Sequence, residues 1–192
     1  TEEDRQIIAA QFQATLLPDT ILPSGLTVEE EREACRALRG QVLRQEVYAL
    51  DASEDSQHPY SVTESNYEIR RLQPLEGDRH AVFFVHPRES IAYHYERNPN
   101  DPRIGHEMTL EVDEFGNVLK SASIAYPRRK PQGSVEDKRL SEQKQILVTY
   151  TEVSVINKTS EIDWYRLGLP VETLTYEIKG LTSPQSQRYT RS

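Results

Sequence analysis

The stretch Met108-Thr-Leu-Glu-Val-Asp-Glu-Phe-Gly-Asn-Val-Leu-Lys-Ser-Ala-Ser-Ile-Ala-Tyr126 decides the fold. Met108, Leu110 and Val112 alternate with polar residues, and so do Val118, Ala122, Ile124 and Tyr126. A period of two puts each set on one face of a strand. Between the arms lies Asp113-Glu-Phe-Gly-Asn117, with a glycine that accepts positive φ at little cost. The reading is a hairpin turning at Asp113, Gly116 and Asn117. These three are the candidate site residues, and their role is structural: the turn sets the register, and a slip of one residue moves every apolar side chain to the wrong face.

Working outward, the same period recurs. YSVTESNYEIRRL (60–72) places Tyr67 and Ile69 on one face, and PLEGD (74–78) turns the chain. HAVFFV (80–85) reads as a buried run, which Pro87 interrupts with a bulge or an edge. ESIAYHYE (89–96) sets Ile91, Tyr93 and Tyr95 against His94 and Glu96. QVLRQEVYAL (41–50) reads as a strand with Leu43, Val47 and Ala49 on one face. QILVTYTEVSVIN (145–157) is a long strand, SEIDWYRLGLP (160–170) a connection, and VETLTYEIKG (171–180) a final strand with Leu174, Tyr176 and Ile178 together. PRRKPQGSVEDKRLSEQ (127–143) is polar, punctuated by Pro and Gly, and predicts a loosely held segment whose Gly133 tolerates substitution.

One helix stands out, over 27–39. Thr27 and Glu30 form a capping box, acids at 29–31 and bases at Arg36 and Arg39 suit the helix dipole, and Gly40 stops it. Ala34, Cys35 and Leu38 make its apolar stripe, which puts Cys35 in the core. The predicted class is mainly β, antiparallel, with one short N-terminal helix. The predicted division is 1–26 as an extended or poorly ordered leader, 27–181 as the structured region, and 182–192 as a tail.

Composition excludes several functions. The 192 residues carry a net charge of -8, which opposes nucleic acid and anionic membrane surfaces alike. No stretch has the apolar length of a membrane-spanning helix, so direct membrane insertion is not expected. Apolar residues are 36 % and charged residues 28 %, yet the apolar ones are grouped into strands, which suits sheets wet on one face. A single cysteine forbids an internal disulfide. The first residue is Thr1 and the only methionine is Met108, which predicts a piece cut from a longer chain.

Catalytic and ligand-binding patterns fail one by one. His86 and His94 have Glu89 and Glu96 nearby, but a metal needs three or four converging ligands. Glu111 with Asp113, Glu152, and Glu172 with Glu177 are carboxylates on alternating strands, where a solvated face is the plainer explanation. No cofactor, metal or enzymatic activity is expected. Tyr60, Tyr67, Tyr93, Tyr95, Tyr126, Tyr150 and Tyr176 read as cross-strand packing. A clustered exposed row of them would instead suit a β-sandwich binding module for a glycan, a receptor or a partner subunit.

Four blocks carry a family resemblance: EREACRALRGQVLRQEVYALD (31–51), PYSVTESNYEIRRLQP (59–74), HAVFFV through SIAYPRR (80–129) and LVTYTEVSVIN (147–157). They resemble the middle-to-C-terminal region of the B component of insecticidal Tc toxins, over about Glu29 to Leu181. Val112-Asp113-x-x-Gly116-Asn117 is similar to the turn of an Rhs or YD repeat. The resemblance implies a secreted toxin and a hollow β-sheet cocoon, built by the B component with part of the C component. The cocoon encloses the cytotoxic C-component payload, and the B component docks elsewhere on the pore-forming A component. No catalytic residue of the family falls here. An ADP-ribosylating domain is excluded because KTSEID (158–163) lacks its strand motif and Glu64–Glu68 and Glu172–Glu177 are wrongly spaced. A serine hydrolase is excluded by the absence of Gly-x-Ser-x-Gly.

Overall fold

The computed structural model describes residues 16–128, 143–161, 163–182 and 188–190. Seven strands form one sheet in chain order. They are β1 (Arg44–Val47), β2 (Ser61–Gln73), β3 (Val82–His94), β4 (Arg103–Val112), β5 (Val118–Ala125), β6 (Leu147–Lys158) and β7 (Arg166–Ile178). Among the described residues one α-helix, α1 (Val28–Ala37), precedes them, and a short 3₁₀ turn covers Glu54–Gln57. The fold is therefore mainly antiparallel β with one short helix. The chain divides into two compact units, one of residues 1–45 and 64–90 and one of residues 46–63 and 91–192.

In the first unit, Thr27 caps α1 through the predicted box: its hydroxyl accepts from Glu30 N–H at 3.2 Å, and Glu30 accepts from Thr27 N–H at 3.0 Å. The helix ends at Ala37, two residues before the predicted limit. Leu38 and Arg39 N–H bond to the carbonyls of Cys35 and Arg36, the tighter i to i−3 pattern of a closing turn, and Gly40 follows at φ +87°. Glu30 and Ala34, four residues apart, are the buried line of the helix. Cys35 lies about 100° further round and is exposed, so its predicted place in the core is wrong.

Glu30 also ties the helix to the strand. It accepts from Arg71 Nη1 at 3.2 Å and from Leu75 N–H at 3.0 Å. The Thr27 and Leu75 backbone donors, ahead of Arg71, hold its carboxyl below the usual glutamate range. Arg71 shares a face with Tyr67 and Ile69, both buried as the alternation predicts. Beside β2 the chain runs extended: Ile21 bridges Glu68 in parallel, Asn66 donates to the Pro18 carbonyl at 2.8 Å, and Leu17 N–H donates to Glu64.

Three strand expectations need correction. β1 is only four residues long, and Leu43 just before it and Val47 at its end are exposed, at the end of the sheet among the described residues. HAVFFV is not a buried run: Val82 is exposed and Phe83 to Val85 are half-buried. Burial in β3 begins at His86 and passes from even residues (His86, Arg88) to odd ones (Glu89, Ile91, Tyr93) just beyond Pro87. Pro87 lies inside one continuous strand, Val82–His94. Finally, RLGLP is no connection, since β7 begins at Arg166.

The second unit holds the main apolar cluster. Met108, Ile124, Tyr126 and Val148 are buried, with Ile104, Leu110, Ala122, Ile146 and Tyr189 packed around them. Register explains the set. Met108 pairs with Ala122, and Ile124 pairs with Val148, so one face of three neighbouring strands supplies it. His106, opposite Ile124, is fully buried. Its Nδ1 lies 3.1 Å from the Tyr126 hydroxyl, whose oxygen accepts from Tyr189 N–H at 2.8 Å. Burial pushes the Tyr126 phenol up to about 12.

Candidate functional site

The predicted turn residues meet in one place. Asp113 ends the β4 arm, and its N–H donates to the Asn117 carbonyl at 3.0 Å. Its carboxylate folds back over the turn: Oδ1 accepts from Phe115 N–H at 2.9 Å and Asn117 N–H at 2.8 Å, and Oδ2 accepts from Asn117 Nδ2 at 2.8 Å. An aspartate bonded to backbone two residues on mimics a turn of the main chain itself. Gly116 stands at φ +89°, where an L side chain is strained.

The turn is also bound to strands far along the chain. Asn157 of β6 donates from Nδ2 to Asp113 Oδ2 at 2.9 Å, and its Oδ1 accepts from Gly168 N–H at 2.8 Å. Asn117 Nδ2 reaches the same Asn157 Oδ1 at 3.3 Å. Gly168 of β7 has φ +64°, and a Cβ built on it would collide with the Asn117 amide. Two turn residues, one β6 asparagine and one β7 glycine thus form a polar clasp. Burial alone pushes the Asp113 carboxyl up, but donors from Asn117, Asn157 and Phe115 outweigh it and hold the group below the usual aspartate range. Every carboxylate oxygen of Asp113 is taken by N–H donors, so the clasp is built to hold backbone rather than a cation.

Sequence reasoning named Asp113, Gly116 and Asn117 but missed Asn157 and Gly168. A signal existed for Gly168, since a glycine within an otherwise β-rich run marks a bulge or a close backbone approach. None marked Asn157.

The other candidates are dispersed. Glu111 pairs with Lys120 at 2.6 Å, an interaction that raises the Lys120 ammonium. Glu152 accepts from the Tyr150 hydroxyl at 2.7 Å. Glu172 and Glu177 are exposed on β7. His86 is buried, its Nδ1 3.1 Å from the Pro87 carbonyl and its Nε2 3.8 Å from Glu68, while His94 is exposed. Among the described residues no group of three His, Cys, Asp or Glu is placed to hold a metal ion. No described helix is long and apolar enough to cross a membrane.

The tyrosines pair locally. Tyr150 stacks across strands on Tyr176 at 6.2 Å, Tyr93 stacks on Tyr95 two residues along the same chain at 5.8 Å, and Tyr60 lies under the Arg97 guanidinium at 5.5 Å. Arg97 in turn grips the loop before β2, donating to both Asp51 oxygens at 2.8 and 3.2 Å and to the Ser53 hydroxyl. Arg97, then the Ser53 N–H and hydroxyl, lower the Asp51 carboxyl to about 2.

The clasp thus ties the β4–β5 turn to two further strands of one antiparallel sheet. The chain belongs to the family of the insecticide toxin TcdB middle/C-terminal region, whose model matches residues 33–169. It is similar to the crystal structure of TcdB2-TccC3, with 30 % identity over 90 % of this chain and a TM-score of 0.68. The same complex without its hypervariable C-terminal region gives 31 % identity over 94 % of this chain and a TM-score of 0.66. The Photorhabdus luminescens Tc holotoxin pore gives 34 % identity over 81 % and a TM-score of 0.64. The chain spans 10 %, 10 % and 8 % of those solved chains, respectively. No curated protein matches it.

Proposed function

We propose that this region is a non-catalytic structural segment of a secreted insecticidal toxin B component. In this reading it forms part of the β-sheet cocoon that encloses the cytotoxic C-component payload before delivery. Its partners are the rest of the B component, the C component and, indirectly, the pore-forming A component. Within it, Asp113, Gly116 and Asn117 fix the register of the β4–β5 hairpin.

One observation carries the reading beyond family membership. The buried face of β4, β5 and β6 continues without a break onto β7, where Ile178 pairs with Val148 and Tyr176 with Tyr150. There Leu174, Tyr176 and Ile178 remain 39 %, 44 % and 37 % exposed. A closed domain would cover such a row, whereas a sheet that runs on into more sheet would not.

The test uses the full-length B component assembled with its C component. Protease should leave the enclosed payload intact, and should digest it when Met108→Asp with Ile124→Asp breaks the wall, with assembly checked by co-purification. A payload equally resistant with the wall broken, or equally digested with it intact, sinks the cocoon reading.

A further inference from the structure

β7 is two different edges joined end to end. From Glu172 to Ile178 it pairs with β6 in unbroken register, Ser154 opposite Glu172 through Val148 opposite Ile178. Towards its start the register shifts twice, between Ser154 and Val155 and between Ile156 and Lys158. Counting partners, β7 advances two residues (172 to 170) while β6 advances one, and then three (169 to 166) while β6 advances two. Each shift inserts one extra residue in β7. The second stretch contains Gly168 at φ +64°, and the first is bounded by Pro170, which has no N–H to offer. Bulges, proline and a left-handed residue are the devices by which an edge refuses another strand.

The bulged half cannot relax to a flat edge while the clasp stands. Gly168 N–H is held by Asn157, which is held in turn by Asp113. The straight half carries no Gly or Pro. Its even residues Leu174, Tyr176 and Ile178 extend the apolar row, and Thr173, Thr175 and Glu177 lie on the opposite face.

We infer that a further strand adds to β7 along Glu172–Ile178 alone, and that the clasped half, Arg166–Val171, stays unpaired. The inference rests on the structural reading above and names the edge through which the sheet continues. The occupant is an extended segment of the same longer polypeptide, alternating apolar and polar residues so that its apolar side lies beside Leu174, Tyr176 and Ile178. The solved relatives, about ten times longer than this chain, supply ample polypeptide for it.

Amide hydrogen exchange on the full-length B component, without its C component, tests the inference. A strand bonded on one side leaves alternate N–H groups open to water; one bonded on both sides leaves none. Every amide from Thr173 to Glu177 should exchange as slowly as those bonded to β6, while alternate amides between Arg166 and Leu169 exchange fast. Fast alternate amides within 173–177 overturn the docking edge. Uniform protection of both halves overturns the role of the bulges. Protection that arrives only when the C component is added overturns the same-chain occupant and gives the strand to the partner subunit. None of these results bears on whether payload is shielded, which the protease experiment decides separately.

Discussion

Asn157 Nδ2 donates to Asp113 Oδ2 at 2.9 Å, joining residues 44 positions apart in the chain. The bond links a hairpin turn to a strand that does not belong to the hairpin. Removing either partner leaves half-buried donors or acceptors on the other. Asp113→Ala should cost about 1–3 kcal/mol, since it strips several N–H groups of their acceptor at once. Asn157→Ala should cost less, and the double variant should fall short of the sum by about 0.5–1.5 kcal/mol. Urea unfolding of the four proteins gives the cycle, and simple additivity would show that the two side chains act independently.

Gly116→Val should cost about 1–3 kcal/mol, because φ +89° at the turn strains any β-branched residue. The comparison site, Gly133, lies outside the described residues; the expectation that Gly133→Val is nearly neutral stands to be measured alongside. Equal losses at the two glycines would mean that the turn does not govern stability.

Gly168→Ala meets a different obstacle, the Asn117 amide as well as a left-handed backbone. The single variant should be destabilised, and Asn117→Ala in the same chain should recover only the steric part. A Gly168→Ala protein as stable as the parent in thermal unfolding would remove the close approach from the account.

Acid should loosen the loop that Arg97 grips. The Asp51 carboxyl is lowered to about 2, so its contribution to stability is complete above the ordinary aspartate range and is lost as pH falls towards about 2. Carbon-detected titration of the Asp51 carboxyl reports this directly. In Arg97→Ala, the largest lowering cause is gone, and the midpoint should move up towards that of a free aspartate. An unchanged midpoint would assign the shift elsewhere.

Core burial gives the largest expected loss. Met108→Ala should cost about 2–5 kcal/mol, whereas Leu174→Ala, on the open row of β7, should cost under about 1 kcal/mol in the isolated chain. Denaturant midpoints at matched slopes distinguish the two.

Local chemistry made much of this legible. The hairpin was readable because a period of two and an Asp-to-Asn turn coincide, and the helix because Thr27 and Glu30 are three apart. Tyr67, Ile69, Ile91 and Tyr93 are buried as their alternation predicts. What escaped depends on neighbours. Cys35 differs from Ala34 by one residue of helical rotation, and the tertiary contacts of Glu30 with Arg71 and Leu75 set which side of the helix is buried. HAVFFV is apolar enough to be buried, yet the structure leaves Val82 exposed. The Asn157 part of the clasp is tertiary, and no spacing in a linear chain encodes it; Gly168 was marked only by its place in a β-rich run.

β4 and β5 each carry one residue that the ladder does not pair in step. Thr109 faces Ser121, Glu111 faces Lys120, and Val112 faces Val118, so a surplus at Leu110 is cancelled by a surplus at Leu119. For insertions and deletions this makes the hairpin a matched pair of spare links. Deleting one link alone would force the turn or the arm to absorb the slip, while deleting both would leave the pairing of Val112 with Val118 intact. Length variation in this hairpin should therefore come in twos, one residue from each arm.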